Sequence, residues 1–179
     1  MQNSIKNREI DNPDSSFILV PLSENHLPVT LAWRNREDVR VWFNSKDLIE
    51  LSTHLEWYKN YQNKADDIVY IAIDKISKEP LAQVAIYHID LEKGRAEFGR
   101  LICNPNYRGQ GIIKPIIIDL LKHCNYVLML HEIYLEVVNC NDRAINLYKT
   151  IGFETIEKTE KSTIMAICLQ KNVAQDEPS

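Results

Sequence analysis

The chain has 179 residues, with 21 Lys and Arg against 25 Asp and Glu, and a formal net charge of −4 at pH 7. This length suits one domain with a single core, and 45% hydrophobic with 26% charged residues is the composition of a soluble globular protein. The charge balance excludes a global basic field for nucleic acid, and no apolar run approaches the roughly 18 residues of a membrane span.

Both ends of the chain are polar. Residues 1–16 lack the apolar centre of a secretory signal, and residues 172–179 are similarly polar. We therefore predict a flexible leader over 1–16, a single domain over 17–171 and a flexible tail over 172–179. We also expect a cytoplasmic location, with no nucleic-acid or membrane partner.

The four cysteines are widely spaced, with no C-x-x-C pair and no nearby histidine. This spacing argues against a metal site and against a disulfide framework. We expect reduced thiols that are mostly buried.

The first half of the chain starts with a strand and continues with helices. The apolar run FILVPL, residues 17–22, predicts the first strand. Residues 23–44 combine polar caps with mixed helical spacing around Pro28, which predicts one or two short helices. Residues 52–64 predict a further helix with Ser52 as its cap.

The apolar pattern then changes to alternation, which is typical of strands. Short turn-like connections between the alternating runs predict an antiparallel meander. Helical spacing returns from Ile112 to Leu121, and a later helix is bounded by the cap Asn141 and by Gly152. The predicted strands cover 68–74, 81–90, 95–103, 132–138, 154–159 and 162–169. The element order predicts one α+β domain, a mixed sheet of about seven strands with helices on both faces.

A glycine-containing turn, NPNYRGQG over residues 104–111, separates the fourth predicted strand from a helix. Such a turn leaves unpaired N–H groups at the positive end of the helix dipole. Gly109 and Gly111 let the backbone approach a phosphate, and Arg108 adds a fixed charge. An isolated R-G-x-G segment is more often an ordinary turn, and neither the dinucleotide nor the Walker fingerprint is present.

This turn and its surroundings resemble the GCN5-related N-acetyltransferases, the GNAT superfamily. Their acetyl-CoA signature [Q/R]-x-x-G-x-[G/A] is similar to residues 108–113, where Ile113 replaces the usual glycine or alanine. Residues 139–154, NCNDRAINLYKTIGFE, are similar to the superfamily stretch in which a Leu-Tyr pair precedes Gly-Phe. The resemblance implies the GNAT fold, a V-shaped opening between strands 4 and 5, acetyl-CoA as co-substrate and no metal.

The resemblance also implies where acetyl-CoA is held. Backbone of the fourth strand would pair with the pantetheine amides, the turn would hold the phosphates, and asparagines after the fifth strand would hydrogen-bond the cofactor. For Lys149, as for Arg143, a solvated helix face is the alternative. The implied contacts are Leu101, Ile102, Cys103, Arg108, Gly109, Gln110, Gly111, Ile112, Ile113, Asn139, Asn141 and Lys149.

The implied reaction is direct attack of an amine on the thioester through a tetrahedral intermediate, with a backbone N–H stabilising the oxyanion. Tyr148 matches the tyrosine that protonates the departing thiolate in many GNAT enzymes, although Leu147 and Tyr148 also lie on an apolar stripe typical of core packing. Glu97 is the candidate base for the ammonium proton, with a solvated strand carboxylate as the alternative.

Residues 32–60 resemble GNAT enzymes that acetylate nucleotide-linked amino sugars, notably in pseudaminic acid biosynthesis for flagellin glycosylation. The acceptor implied is a UDP-linked amino-deoxy sugar, whose diphosphate Arg34 would hold. His54 would bond a phosphate or ribose oxygen, Trp42 or Trp57 would stack on uracil, and His88 would face the acceptor cleft. Ordinary core or surface packing is the alternative for each of them.

Two other functions remain open on the sequence. The same segment is similar to the RimJ/RimL ribosomal-protein acetyltransferases, which implies a peptide N-terminus as acceptor. A non-catalytic acyl-CoA-binding domain would keep the fold without transfer. The apolar final strand further suggests a homodimer.

Overall fold

Seven strands form one mixed sheet in the computed structural model, which describes residues 6–43 and 45–169. The order across the sheet is β1-β2-β3-β4-β5-β7-β6, and among these pairs only β4 and β5 are parallel. The predicted α+β class and the antiparallel meander are confirmed. The strands are β1 Phe17–Pro21, β2 Asp67–Asp74, β3 Pro80–Asp90, β4 Arg95–Cys103, β5 Glu132–Val138, β6 Glu154–Lys158 and β7 Ser162–Cys168.

Five α-helices accompany the sheet in the described part of the chain: α1 Leu27–Asn35, α2 Glu37–Arg40, α3 Leu51–Gln62, α4 Ile113–Tyr126 and α5 Asp142–Ile151. Pro28 lies in the first turn of α1, where the N–H that it lacks would have no helical partner. Helix α3 begins at Leu51 with Glu50 in the cap position, so the predicted cap Ser52 lies inside the helix. Asn141 caps α5 as predicted, accepting a hydrogen bond from Ala144 N at 3.2 Å.

The central strands are buried because helices cover both faces of the sheet. On one face, α4 and α5 pack against a large apolar cluster that includes Phe98, Ile133 and the fully buried Ile116 and Leu120. On the other face, α3 contributes Tyr61 to a second cluster with residues of β2 and β3. Each fully buried aliphatic side chain stabilises the fold by about 1.5–3 kcal/mol.

Strands β4 and β5 pair only at their first residues. Their register runs from Arg95 opposite Glu132 to Glu97 opposite Tyr134, and the paired register ends there. The V-shaped opening that the resemblance implied between strands 4 and 5 therefore begins just beyond Glu97.

A bulge in β4 lies at this opening. Ala85 of β3 pairs with Gly99 and Gln83 pairs with Ile102, so the two strands differ by one residue in between. Arg100 within the bulge has φ 49°, in the left-handed region. Bulges bend and twist the strand that carries them, which accounts for the divergence of β4 from β5.

The predicted leader contacts the domain over part of its length. Lys6 donates to the main-chain oxygens of Tyr61 and Lys64, and Asn12 donates to Asp119 at 2.8 Å. Ile10 forms a bridge with Leu19 of β1. Residues 6–12 of the predicted leader thus contact the domain through both side chains and main chain, and the flexibility of the leader stays a prediction. Residues 1–5 and the predicted tail 172–179 lie outside the described residues, as does the predicted domain end at 171.

Two smaller predictions need correction. Strand β7 is paired with β5 on one side and with β6 on the other, so the final strand offers no free edge for a second copy. Cys124 is buried, but Cys140 and Cys168 are exposed, because they follow β5 and end β7 at the margins of the sheet. Within 6–43 and 45–169, no helix combines the length and the apolar character needed to cross a bilayer.

Candidate active site

The opening between β4 and β5 is a cavity of about 850 Å³. Its walls are Glu97 to Cys103 of β4 and Leu135 to Val138 of β5, and Tyr148 of α5 also lines it. Residues of the 107–114 turn line one part, and residues of the α1–α2 segment, 34–45, line another. We call these parts the turn end and the acceptor end. The volume lies in the range of small-molecule and cofactor sites.

The turn end has the form of an anion cradle. Gly109 and Gly111 have φ 77° and 76°, a conformation that favours glycine, and no atom lies within 4 Å of where a Cβ would stand. Helix α4 begins immediately after the turn, so its first N–H groups have no helical partner. Pro115 in the first turn removes an N–H that would be unpaired in any case. The backbone therefore presents donors to open space.

Basic side chains surround this cradle. Arg108, Lys114 and Arg143 all line the cavity, which suits a ligand with several phosphates. Arg108 forms an ion pair with Asp38 of α2, which also receives Arg36 at 3.0 Å. Hydrogen bonds first from Arg36 and then from Arg108 lower the pKa of the Asp38 carboxyl.

The edge of β4 that faces β5 is open beyond Glu97. Gly99, Leu101 and Cys103 on this part of the strand line the cavity. An unpaired strand edge can hydrogen-bond an extended ligand as it would an added strand. The bulge is held from the other side, where Arg100 forms a two-point ion pair with the buried Asp67 at 2.7 and 3.0 Å.

The structure brings most of the predicted acetyl-CoA contacts to the cavity, but not all. The exceptions have other contacts: Gln110 donates to Asn106 O at 3.0 Å, and Asn139 joins β5 to the β6–β7 hairpin through Thr163 at 2.7 Å. Lys149 is exposed on α5, whereas Arg143 on the same helix lines the cavity. The predicted contacts that line it are Leu101, Ile102, Cys103, Arg108, Gly109, Gly111, Ile112, Ile113 and Asn141.

Tyr148 has a position that is compatible with both of the roles that the sequence left open. It lines the cavity, and its ring also packs in the core against Phe98 and Phe153, with centroids 6.0 and 5.7 Å apart. Burial raises the pKa of the phenol well above its ordinary value. The hydroxyl therefore stays protonated and suits a proton donor.

Glu97 lies among hydrogen-bond donors at the start of the opening. Its carboxylate accepts from Tyr87 Oη at 2.9 Å and lies 3.0 Å from His88 Nδ1. Burial, and then the charge of Glu97, raises the pKa of Tyr87 above its ordinary value, and the same two causes raise that of Tyr134. Both phenols thus remain donors beside a carboxylate that is partly accessible in the cavity.

Arg34 is the predicted acceptor residue that lines the acceptor end. It is 9% exposed, stacks on Phe43 at 4.2 Å and donates through Nη2 to Ser45 O at 2.6 Å. Its Nη1 is buried and has no hydrogen-bond partner among the described residues. Burial, and then the nearby Arg40, lowers the pKa of Arg34.

Three of the other predicted acceptor residues, His54, Trp57 and His88, are not among the residues that line the cavity. His54 and Trp57 stack on one another at 5.2 Å, and His54 Nε2 lies 3.4 Å from Thr30 Oγ1 of α1. They pack α3 against α1. His88 lies outside the lining and contacts Glu97, whereas Trp42 lines the cavity at its rim.

Sequence reasoning missed Tyr87, Arg100 and Glu136, which also line the cavity. Tyr87 could have been predicted, because the meander places it directly opposite Glu97. Glu136 is solvent-exposed on β5, at the wall of the cavity, and accepts a hydrogen bond from Ser162 Oγ at 2.5 Å. The position of Arg100 depends on the bulge, for which the sequence has no separate signal.

Comparison with known proteins identifies the family. A profile of the acetyltransferase (GNAT) domain matches residues 16–154, well over half of the chain. The chain belongs to the GNAT acetyltransferase family. The predicted class, an acetyl-CoA-dependent N-acetyltransferase, is thereby confirmed. Within 6–43 and 45–169, no group of three or more His, Cys, Asp or Glu side chains could hold a metal ion.

Several curated relatives act on polyamines. Spermidine N(1)-acetyltransferase from Vibrio cholerae is 28% identical over 119 residues, covering 66% of this chain and 67% of that protein. The Escherichia coli K12 enzyme of the same name is 27% identical over 66% of this chain and 62% of its own length. N-alpha-acetyltransferase 30 of Saccharomyces cerevisiae is 31% identical over 54% of this chain and 57% of its own length. The match thus spans less than two thirds of the last two proteins.

Solved structures agree on the fold. The crystal structure of spermidine N-acetyltransferase from V. cholerae in complex with CoA and spermine superposes with a TM-score of 0.80 at 21% identity, covering 87% of this chain and 96% of that chain. A dodecameric structure of the same enzyme gives a TM-score of 0.74 at 22% identity, covering 92% and 100%. The GNAT fold predicted from the sequence is confirmed.

Proposed function

We propose that the protein transfers acetyl from acetyl-CoA to the amine of a nucleotide-linked amino sugar. The position of Arg34 and its unbonded Nη1 are the observation that supports this acceptor. Its guanidinium lines the acceptor end, and among the described residues it has no carboxylate partner and leaves Nη1 unbonded. A buried donor without a partner is costly, and a diphosphate would complete its hydrogen bonds with charge-assisted ones.

A second guanidinium strengthens the case for an anionic acceptor. Arg40 lies close enough to lower the pKa of Arg34, and its own Nε is buried without a partner in the described residues. Both guanidinium groups donate to main-chain oxygens, Arg34 to Ser45 and Arg40 to Lys46, but neither has a carboxylate partner among the described residues. Two adjacent positive charges that no acid neutralises repel a polycation and attract a diphosphate. Trp42, which is 43% exposed at the rim of the cavity, offers an aromatic face on which the uracil base of the sugar nucleotide could stack.

The remaining site residues have separate roles in the proposed reaction. Acetyl-CoA supplies the thioester; the turn end holds its phosphates and the open edge of β4 pairs with its pantetheine amides. Glu97 removes a proton from the acceptor ammonium, and Tyr148 donates one to the departing thiolate. As the C–N bond forms and the C–S bond breaks, the nitrogen loses a second proton, which restores the one that Tyr148 gave to the thiolate. The ammonium thus becomes an amide, with one proton leaving through Glu97 and one ending on the CoA thiol.

A polyamine is the second candidate acceptor. Three carboxylates, Asp38, Glu97 and Glu136, line the cavity, and carboxylates attract ammonium groups. Relatives named spermidine acetyltransferases point the same way. The guanidinium of Arg34 at the acceptor end, with that of Arg40 close to it, weighs against this candidate.

The test measures thiol release from acetyl-CoA with a UDP-linked amino-deoxy sugar, spermidine and peptides with free N-termini, each product being checked for one added acetyl group. Turnover on the sugar nucleotide in clear preference to the other two is the expected result. Preference for spermidine would replace the proposal with the polyamine candidate, and preference for peptides would place the protein with the RimJ/RimL type. Binding of acetyl-CoA with no thiol release from any acceptor would indicate a non-catalytic domain.

An Arg34→Gln variant isolates the residue that carries the proposal. We expect the KM for the sugar nucleotide to rise about 10- to 100-fold, because one or two charge-assisted hydrogen bonds are lost. The KM for acetyl-CoA should be unchanged. Lys59→Gln, at an exposed position of α3, is the charge-matched control and should behave as the unaltered protein. An unchanged sugar-nucleotide KM in Arg34→Gln would contradict the role of Arg34.

A further inference from the structure

Strand β3 carries a histidine in a strained backbone conformation. His88 has φ 51°, in the left-handed region that residues other than glycine uncommonly adopt. It lies where the β3–β4 register shifts, between Tyr87 and Asp90. Such strain persists only where surrounding structure holds it, and it clusters at functional sites.

The side chain of His88 lies between the site and solvent. Nδ1 is 3.0 Å from Glu97 Oε2, and the ring packs edge-on against Tyr87 with centroids 5.0 Å apart. The side chain is nevertheless 67% exposed, against 18% for Glu97. One ring nitrogen therefore contacts the carboxylate, which leaves Nε2 as the nitrogen for exchange with water.

The other groups near this pair are poorly suited to carry a proton at neutral pH. Tyr87 occupies the second carboxylate oxygen of Glu97 at 2.9 Å, and its pKa is raised. The arginines nearby stack on tyrosine rings and are paired with acids. Imidazole, unlike these phenols and guanidinium groups, can take up a proton at one ring nitrogen and release one from the other. The titratable and charged groups that face the pair are Tyr87, Tyr134, Arg95, Arg100, Asp67 and Glu132.

We propose that His88 is a positioning residue that acts through Glu97, holding its carboxylate and passing the acceptor's proton to solvent. The inference rests on the proposed role of Glu97 as the base. An N–H bond of the acceptor ammonium breaks as an O–H bond forms on Glu97. In the Nε2–H tautomer of His88 the unprotonated Nδ1 then takes this proton, so the Glu97 O–H bond breaks as Nδ1–H forms, and Nε2 releases its proton to water or buffer. The new Nδ1–H donates to the regenerated carboxylate and holds it. Exchange with water restores the starting tautomer, so the net change is one proton moved from ammonium to solvent.

The test uses two variants that the left-handed backbone accepts. His88→Gly suits φ 51° and leaves room for added imidazole, and His88→Asn tolerates the same backbone while keeping a hydrogen-bond donor for Glu97. We expect kcat with the preferred acceptor to fall about 10- to 100-fold in both, with the KM for acetyl-CoA unchanged. Added imidazole should restore most of the activity of His88→Gly in a saturable manner.

The matched control is Lys78→Gly, at an exposed residue with φ 62° outside the cavity lining, which should keep full activity and show no response to imidazole. Either of two results would overturn the relay. One is full kcat in both His88 variants; the other is full kcat in His88→Asn together with no restoration of His88→Gly activity by imidazole. Glu97→Gln separates the two proposals. If it stays active, the assigned base is wrong; if it is inactive and imidazole fails to rescue it, Glu97 is the group through which His88 acts.

Discussion

Gly99 leaves open the space that the Tyr87 hydroxyl fills. A Cβ added at Gly99 would overlap that hydroxyl, although Gly99 and Tyr87 lie on neighbouring strands and are not register partners. Tyr87 leans across β4 at this point and donates to Glu97 at 2.9 Å. The smallest residue of the strand thus determines how the candidate base is held.

Gly99→Ala should displace Tyr87 and weaken its hydrogen bond to Glu97. A hydrogen bond to a charged group contributes about 1.5–3 kcal/mol, so we expect kcat/KM to fall roughly 10- to 100-fold. Tyr87→Phe should cause a similar fall without a steric clash. If both variants act by removing the Tyr87 hydrogen bond, kcat/KM of the double variant should be little lower than that of either single variant. Free-energy losses that simply add in the double variant would contradict this explanation.

Tyr148→Phe should lower kcat about 100-fold or more while the fold is kept, because the ring contacts with Phe98 and Phe153 remain and only the hydroxyl is lost. Steady-state kinetics together with the melting temperature measure both effects. Since the pKa of Tyr148 is raised, the unaltered enzyme should show no loss of activity through ionisation of this phenol up to about pH 10. Tyr126→Phe, at an exposed tyrosine of α4, is the control.

Gly109→Ala should weaken acetyl-CoA binding through its backbone alone. No atom lies near the added methyl group, but φ 77° costs alanine about 1–2 kcal/mol, so we expect the KM for acetyl-CoA to rise about 5- to 30-fold with kcat little changed. Gly152→Ala, with φ 114° at the end of α5, should lower the melting temperature and leave that KM unchanged. Equal effects of both variants on the KM would show that the turn has no special role.

The buried His123 should make the protein less stable in mild acid. Burial, and then the charge of Arg8, lowers its pKa from 6.5 to about 4. The unfolded chain therefore binds a proton that the folded chain does not between these two values, and the free energy of unfolding falls as pH decreases from 6.5 towards 4. We expect His123 to account for about 1–2 kcal/mol of that fall.

His123→Gln should flatten this part of the stability curve, as measured by denaturant unfolding at pH 7 and pH 5. His131→Gln, at an exposed histidine, should keep the curve of the unaltered protein. A His123→Gln variant that loses stability in acid as steeply as the parent would contradict the assignment.

Much of the sheet was predictable from the chain, because strand burial leaves a direct mark on residue pattern. The runs around Tyr70 and Phe98 alternate or are fully apolar, and their turns are short, so the strands and the meander followed from local sequence. The turn over 104–111 was also predictable, because its two closely spaced glycines indicate positive φ, which both adopt, and a helix follows. Its role in holding acetyl-CoA stays a prediction.

The arrangement of the acceptor end and of the proton path was much harder to predict from the sequence. The Arg100–Asp67 ion pair joins residues 33 positions apart through a bulge, and the unbonded Nη1 of Arg34 depends on how a short helix packs. His54 and Trp57 were chosen for their chemistry, but the face of α3 on which they lie packs against α1. Residue type alone does not distinguish such a helix face from a binding surface.

The divergence of β4 from β5 also has a consequence for handling the protein. A strand whose main-chain groups are left open is a template for pairing with another chain, which is the usual route to edge-to-edge aggregation. Acetyl-CoA that occupies this edge would shield it and, by binding only the folded state, raise the melting temperature with ligand concentration. Purification and storage with CoA should therefore keep the protein in solution longer than dialysis against buffer alone.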